Sequence, residues 1–289
     1  MHAQDAMSGT DRPNRGALAP TSPLPVKPLT KEKIVLRLLL LVLALTTVYA
    51  LAHLDSGGTD LAQAAADTLA NLKVIFLNPG GPHLSFFKAL YEVVITLGLA
   101  FLATLFGACI ALPLGLLGAR NLAPEPLTNV IKAFVAFIRA VPTILWVLIF
   151  AVTAGLGSAA AVIGMTFHSI SYLTKAYAES FEDLDRDVIE ALKASGANWW
   201  QIVFQAVIPS SSTYLLSWTF LRFEMNFANA VVMGAAAGAS GVGFDLYMAS
   251  GYYFDLREVG LITYIILAFA ITLETVATRL KSRIKDSHA

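Results

Sequence analysis

The stretch Phe181–Pro209 reads FEDLDRDVIEALKASGANWWQIVFQAVIP and is the one sizeable polar stretch in the second half of the chain. Asp187 precedes Glu190 by three residues. This is the spacing at which a carboxylate caps the first turn of a helix and a second carboxylate reaches back, so a short helix is predicted to begin there. Gly196 follows and supplies the turn that ends the helix.

The rest of this stretch predicts a second short helix. Asn198–Val207 places Trp199, Ile202 and Ala206 at helical spacing on one side. Pro209 suits the first turn of the next helix, where its missing N–H costs nothing. Taken by themselves, these residues predict a helical hairpin at a surface.

Long apolar runs dominate the chain on both sides of this stretch. Of its 289 residues, 56% are hydrophobic and 14% are charged, against about 45–50% and about 25% in soluble domains. Six runs approach the length of about 20 residues that crosses a bilayer as a helix. They are Ile34–Ala52, Leu90–Leu117, Val130–Val152, Ala159–Ala178, Ser211–Ala237 and Val259–Ala277. The predicted fold class is therefore an all-α polytopic membrane protein with six transmembrane helices.

The predicted organisation follows from these runs and from the polar segments between them. A cleaved secretory signal is the alternative for the first run, but the polar lead before it is long for a signal, which favours an uncleaved helix. The predicted parts are a disordered tail at 1–33, the first transmembrane helix at 34–52 and an outside segment at 53–88 with an interfacial helix at Leu61–Leu77. They continue with a membrane-spanning core at 89–280, which contains the loop 181–209, and a basic tail at 281–289.

Lysines and arginines in the connecting segments predict the orientation. If the amino terminus is cytoplasmic, twelve basic residues lie in inside segments and three, Lys73, Lys88 and Arg257, lie outside. Such an excess marks the cytoplasmic side of a membrane protein. Both termini are therefore predicted to face the cytoplasm.

Charged residues inside the apolar runs are candidate functional residues. At about 1.5 Å per residue, Arg139 lies about 14 Å into the third run, and Arg222 and Glu224 lie about 17–20 Å into the fifth. Asn226 and Asn229 share the helix face of Arg222.

Two interpretations of these residues stay open. The arginines and asparagines line a translocation path that favours an anion, or Arg139 pairs with Glu224 between packed helices and holds the bundle together.

Several classes of protein are excluded or disfavoured. Twenty basic and twenty acidic residues balance, so the surplus of positive charge that binds nucleic acid is missing. An enzyme is disfavoured because the sequence has no His-Glu-x-x-His or Gly-x-Ser-x-Gly motif. The sequence also has no Gly-Lys pair, and so no phosphate-binding loop. Cofactors are not expected in this chain.

The hairpin stretch resembles the EAA-type loop of bacterial ABC-importer permeases. That pattern is Glu-Ala-Ala, three residues, Gly, nine residues, Ile, one residue, Leu-Pro, and its spacing is matched by Glu190-Ala191, Gly196 and Ile208-Pro209. Further segments resemble the phosphonate-importer permeases, and the match covers roughly Leu90–Leu280. These segments are Phe137–Trp146 (FIRAVPTILW), Arg222–Asn226 (RFEMN) and Gly241–Phe244 (GVGF).

The resemblance implies a permease subunit in a prokaryotic cell membrane, with the small six-helix importer fold, that transports phosphonate-type anions. Its partners would be a second permease copy, two cytoplasmic ATPase subunits that bind ATP and Mg²⁺, an outside phosphonate-binding protein and membrane lipids. The residues implied in ATPase coupling are Asp187, Glu190, Ala191, Gly196 and Pro209. A secondary transporter or channel for a small anion is the alternative, although such a protein has no reason to carry this loop.

Overall fold

The computed structural model describes residues 31–53 and 60–286, with the side chains of Leu61 and of residues 280–286 left aside. All regular structure in these residues is helical, in eleven α-helices and two π-helical turns. The helices are α1 Lys31–Ala52, α2 Leu61–Leu77, α3 Phe86–Gly118, α4 Glu125–Ala140, α5 Thr143–Ala154, α6 Ser158–Glu182, α7 Arg186–Ala194, α8 Trp199–Ile202, α9 Ile208–Ala237, α10 Val242–Tyr247 and α11 Leu256–Asp286.

The predicted tails coincide only partly with the described residues. Residues 1–30 of the predicted disordered tail, and the last three residues of the chain, lie outside them. At the other end, α11 continues to Asp286, so most of the predicted basic tail forms the last turns of a helix.

The helix α1 is apolar around its whole circumference and has no buried residue. With 22 residues, it is about 33 Å long, enough to cross a hydrocarbon core of about 30 Å. An apolar helix that buries none of its surface within its own chain needs an apolar environment outside it, which a bilayer provides.

Three described helices are long and apolar enough to cross a membrane: α1, α3 and the first 24 residues of α11. Two bent helix pairs raise the number of spans to five if each pair is counted as one. The fourth predicted run, Ala159–Ala178, forms α6, which is not apolar enough to pass the same test. Its serines and threonines are tolerated because most of the helix is buried inside the bundle. The count of six spans thus stays a prediction.

The predicted run Val130–Val152 does not form one continuous helix. The helices α4 and α5 meet at a bend of 85°. Pro142 lacks an N–H and disfavours helical geometry at Val141, which is extended (φ −93°, ψ 123°). Trp146 Nε1 donates a hydrogen bond to the Ile138 carbonyl at 3.1 Å across the bend.

The helix α6 lies at the centre of the bundle and packs against α3, α4, α5 and α9. Small residues allow its close packing. A Cβ added to Gly164 would lie 2.6 Å from Val147 Cα of α5, and one added to Gly107 of α3 would lie 2.5 Å from Ser169 Cβ. The core is therefore built around a helix that sequence hydropathy ranks low.

The helix α2 spans the residues predicted for the interfacial helix, and its carboxyl end is tied to α11. Tyr264 Oη donates to the Phe76 carbonyl at 2.8 Å, and Gly80 N donates to the Arg257 carbonyl at 3.0 Å. Leu69 and Leu72, on the predicted apolar side, are exposed within the chain. A position at a membrane interface stays a prediction for this helix.

Candidate coupling segment and buried polar cluster

The residues 181–209, named here the coupling segment, contain α7. The prediction that Asp187 caps this helix is wrong by two residues, because Asp185 is the cap and its carboxylate accepts a hydrogen bond from Asp187 N at 3.0 Å. Asp187 lies in the first turn, where a carboxylate still interacts favourably with the helix dipole. Asp185 and Asp187 both carry a carboxylate that can cap a helix, so their spacing in the sequence does not decide which one is the cap.

Gly196 ends α7 as predicted. Its φ is +85°, in the region that favours glycine. Gly196 N donates to the Lys193 carbonyl and Ala197 N to the Leu192 carbonyl, both at 3.0 Å. This pair of bonds closes the helix end and reverses the chain towards α8.

One side of α7 is packed against the rest of the chain. Ile189 is 3% exposed and belongs to a hydrophobic cluster with Ile202, while Leu192 packs against that cluster. Trp199 Nε1 donates to the Leu122 carbonyl at 2.9 Å, which ties the coupling segment to the connection between α3 and α4.

Glu182 strengthens the same attachment. Its Oε1 accepts hydrogen bonds from Arg120 N and Lys132 Nζ, both at 2.9 Å. Burial raises the pKa of the Glu182 carboxyl, but these hydrogen bonds and the charges of Lys132 and Arg120 lower it by more, so the pKa lies below its ordinary value. The carboxylate is therefore ionised at neutral pH.

The opposite side of α7 is exposed. Asp187, Glu190 and Ala191 lie on it, spaced so that they share one helix face, and all three are exposed. Val188 beside them is 51% exposed. The structure thus brings three of the five predicted coupling residues onto one open surface, with Gly196 at its end.

The prediction of a separate helix over Asn198–Val207 is wrong. Asn198 caps α8 in a capping box with Gln201, and the chain then continues through the π-helical turn Val203–Val207 directly into α9. Pro209 is therefore the second residue of α9 within an uninterrupted helical path, and it is exposed. The π-helical turn lies just before Pro209, the residue that has no N–H to donate to the helix.

A buried polar cluster lies where α3, α6 and α9 meet. Arg222 is 0% exposed, and its Nε donates to Ser169 Oγ at 2.9 Å. Its guanidinium carbon lies 5.4 Å from the centre of the Tyr172 ring, within range of a cation–π interaction. Asn226 Nδ2 donates to Ser169 Oγ and to Thr104 Oγ1, both at 2.9 Å.

This cluster leaves hydrogen-bonding groups of Arg222 unused. Arg222 Nη1 and Nη2 and Asn226 Oδ1 are buried and have no hydrogen-bond partner. No described carboxylate forms an ion pair with Arg222. A buried guanidinium is costly unless its charge and its donors are matched, so the cluster is suited to interaction with an anion.

The other predicted path residues are placed differently. Glu224 and Asn229 are only partly buried and lie outside this cluster, although Asn229 was predicted on the same face as Arg222. Arg139 is exposed in the last turn of α4, before the bend, so its predicted depth along a straight span is wrong. The alternative Arg139–Glu224 ion pair is not formed among the described residues.

The residues predicted from the sequence do not include Ser169, Tyr172 and Thr104, which hold the cluster together. Ser169 and Tyr172 are three residues apart on α6, which places them on one face. Two polar residues on one face of a predicted membrane span indicate a polar contact with another helix. The sequence does not show which helix makes that contact.

A helical bundle with apolar spans, an exposed short helix and a buried cation without an ion-pair partner among the described residues is typical of a membrane transport protein. The chain matches the family described as binding-protein-dependent transport system inner membrane component over residues 111–285. The chain belongs to this family of ABC-importer permeases and is an inner-membrane component.

Two relatives and one solved structure illustrate the match. The phosphate-import permease protein PhnE of Mycolicibacterium smegmatis is 30% identical over 190 residues, 65% of this chain but only 35% of that protein. The phosphite transport system permease protein PtxC of Stutzerimonas stutzeri is 31% identical over 191 residues, 66% of this chain and 69% of that protein. The inward-facing MetNI methionine ABC transporter structure shares the fold, with a TM-score of 0.62 at 22% identity, covering 71% of this chain and 99% of that chain.

Proposed function

We propose that this chain forms the pore of an ATP-driven importer for phosphorus oxyanions of the phosphonate type, with phosphite and phosphate as the nearest alternatives. The observation that carries the proposal is Arg222, whose buried guanidinium has two unpartnered nitrogens and no described carboxylate. Such a group offsets part of the dehydration cost of an entering anion. The relatives named for phosphate and phosphite transport support the same class of substrate.

We propose further that ATP is hydrolysed by separate subunits, two per complex, that dock on the exposed face of α7. The chain has no Gly-Lys pair and so no phosphate-binding loop of its own. A helix that is anchored on one side by Ile189 and open on the other can transmit the motion of a docked subunit as a rigid body. A second permease copy and an outside substrate-binding protein complete the proposed importer.

The orientation proposed for this complex places the coupling segment and both termini in the cytoplasm, as the twelve-to-three distribution of basic residues predicts. A cysteine at position 80 should react with an impermeant maleimide added outside sealed cells, and one at position 195 should not. Labelling at 195 under these conditions would reverse the orientation.

The function is tested with the permease purified together with its ATPase and reconstituted in vesicles with the binding protein. Uptake of radiolabelled methylphosphonate, phosphite and phosphate is measured with and without ATP on the side of the ATPase. We expect uptake of at least one of these anions to require ATP and to persist after ion gradients are dissipated. Uptake driven by an ion gradient without ATP would identify a secondary transporter instead.

A further inference from the structure

A cavity of about 500 Å³ lies between α4 and α6, separate from the buried polar cluster. Three basic side chains line it, Lys132 and Arg139 from α4 and Lys175 from α6. Lys132 and Arg139 are seven residues apart on one helix, which places them on the same face and about 10 Å apart along the axis. Two carboxylates, Glu179 and Glu182 of α6, line the same cavity.

The two lysines of this cavity are already neutralised. Lys132 Nζ lies 2.9 Å from Glu182 Oε1, and Lys175 Nζ lies 3.5 Å from Glu179 Oε1. Arg139 forms no ion pair with a described residue. The uncompensated positive charge of the cavity thus lies at the Arg139 end.

The wall of the cavity is mostly apolar. Ile131, Val135 and Ala136 of α4 line one side, and Ala178 of α6 lines the other. Thr174 also lines the cavity; it is 2% exposed, and its Oγ1 has no hydrogen-bond partner. A buried hydroxyl without a partner can still form a hydrogen bond to a ligand. The apolar wall around it is suited to a hydrocarbon group.

We infer that this cavity binds an anion with an apolar substituent, with its phosphorus oxyanion head at Arg139 and its hydrocarbon part against Val135 and Ala136. The inference rests on the proposed function and narrows its substrate class to organophosphonates over phosphite and phosphate. Inorganic anions gain nothing from the apolar wall, whereas a buried phenyl or alkyl group gains affinity in proportion to its area. The same chemistry is present in the headgroup region of an anionic phospholipid, which the experiment distinguishes from a free phosphonate.

The site is tested by saturation-transfer NMR on the complete permease–ATPase complex in phosphatidylcholine nanodiscs, with phenylphosphonate as the probe. Magnetisation passes from the wall to the phenyl protons only when the ring contacts it. We expect the transfer to fall at least about fivefold in Arg139→Gln, which removes the charge, and in Ala136→Leu, which fills the apolar part. Ala133→Leu makes the same change on α4 outside the cavity lining, and Arg37→Gln removes a cation from α1. Both controls should stay close to the wild type.

Uptake by the same variants connects the cavity to transport. We expect Ala136→Leu to lower phenylphosphonate uptake about tenfold and phosphite uptake less than twofold. Unchanged transfer in both cavity variants, in a complex that transports phosphonate, would overturn the inference and leave the proposed function intact.

A wild-type complex that transports no phosphorus anion but shows transfer sensitive to Arg139→Gln would refute the proposed function and retain the site. Loss of the phenylphosphonate signal in phosphatidylglycerol nanodiscs would then identify a lipid headgroup as the natural occupant.

Discussion

Uptake of the phosphorus anion is expected to fall at least about 100-fold in Arg222→Gln, while the complex assembles normally. The substitution removes the positive charge of a side chain that is 0% exposed and keeps a group that can still bond Ser169. A hydrogen bond to a charged group contributes about 1.5–3 kcal/mol, and about 2.8 kcal/mol corresponds to a factor of about 100. The measurement is initial uptake rate, with size-exclusion chromatography of the complex for assembly.

The complex is expected to assemble because Arg222→Gln leaves no described carboxylate without its ion-pair partner. Arg222→Lys is the matched variant, since it keeps the charge and should retain more uptake than the glutamine. Adding Glu224→Gln tests whether Glu224 of a second copy is the hidden partner. If the double variant restores both assembly and uptake that the single variant has lost, the anion role of Arg222 is wrong.

The sequence predicts the helical class well because long apolar runs leave the backbone few alternatives. α1, α3 and α11 contain the predicted runs with only a few residues of difference at most ends. The bend between α4 and α5 was also readable from Val141-Pro142, but apolarity on both sides concealed it. Hydropathy measures transfer into lipid, and it does not register a break in direction.

The buried polar cluster was only partly predictable for a different reason. Helical spacing places Arg222 and Asn226 on one face, but it does not state which neighbour that face meets. The structure turns this face towards Ser169 of α6. Long-range contacts of this kind depend on close approaches such as Gly107 against Ser169, which no local pattern encodes.

The coupling segment shows how far local spacing reaches. Gly196 ends α7 at a positive φ because its turn is a local requirement, and the sequence identifies it. The start of α7 was misplaced because Asp185 and Asp187 are both acceptable caps. The structure places the cap at Asp185, so the helix begins two residues earlier than predicted. Ile189 lies on its buried side.

Ala191→Arg is expected to lower ATP-driven uptake at least about 50-fold and to abolish co-purification of the ATPase. Ala191 is exposed on α7, two residues and so about 200° around the helix from buried Ile189. A long charged side chain in a docked interface prevents close approach and must lose its hydration, a combination that costs several kcal/mol at the centre of an interface.

The helix itself should stay folded in this variant, because arginine is a good helix former and Asp187 lies one turn earlier, where it can pair with the new guanidinium. Asp183→Arg is the control, since it introduces the same side chain at an exposed position of the coupling segment before α7 begins. The control should keep uptake within about twofold of the wild type. Uptake and ATPase co-purification that are unchanged in Ala191→Arg would show that the ATPase docks elsewhere, because Ala191 is exposed on the proposed docking face.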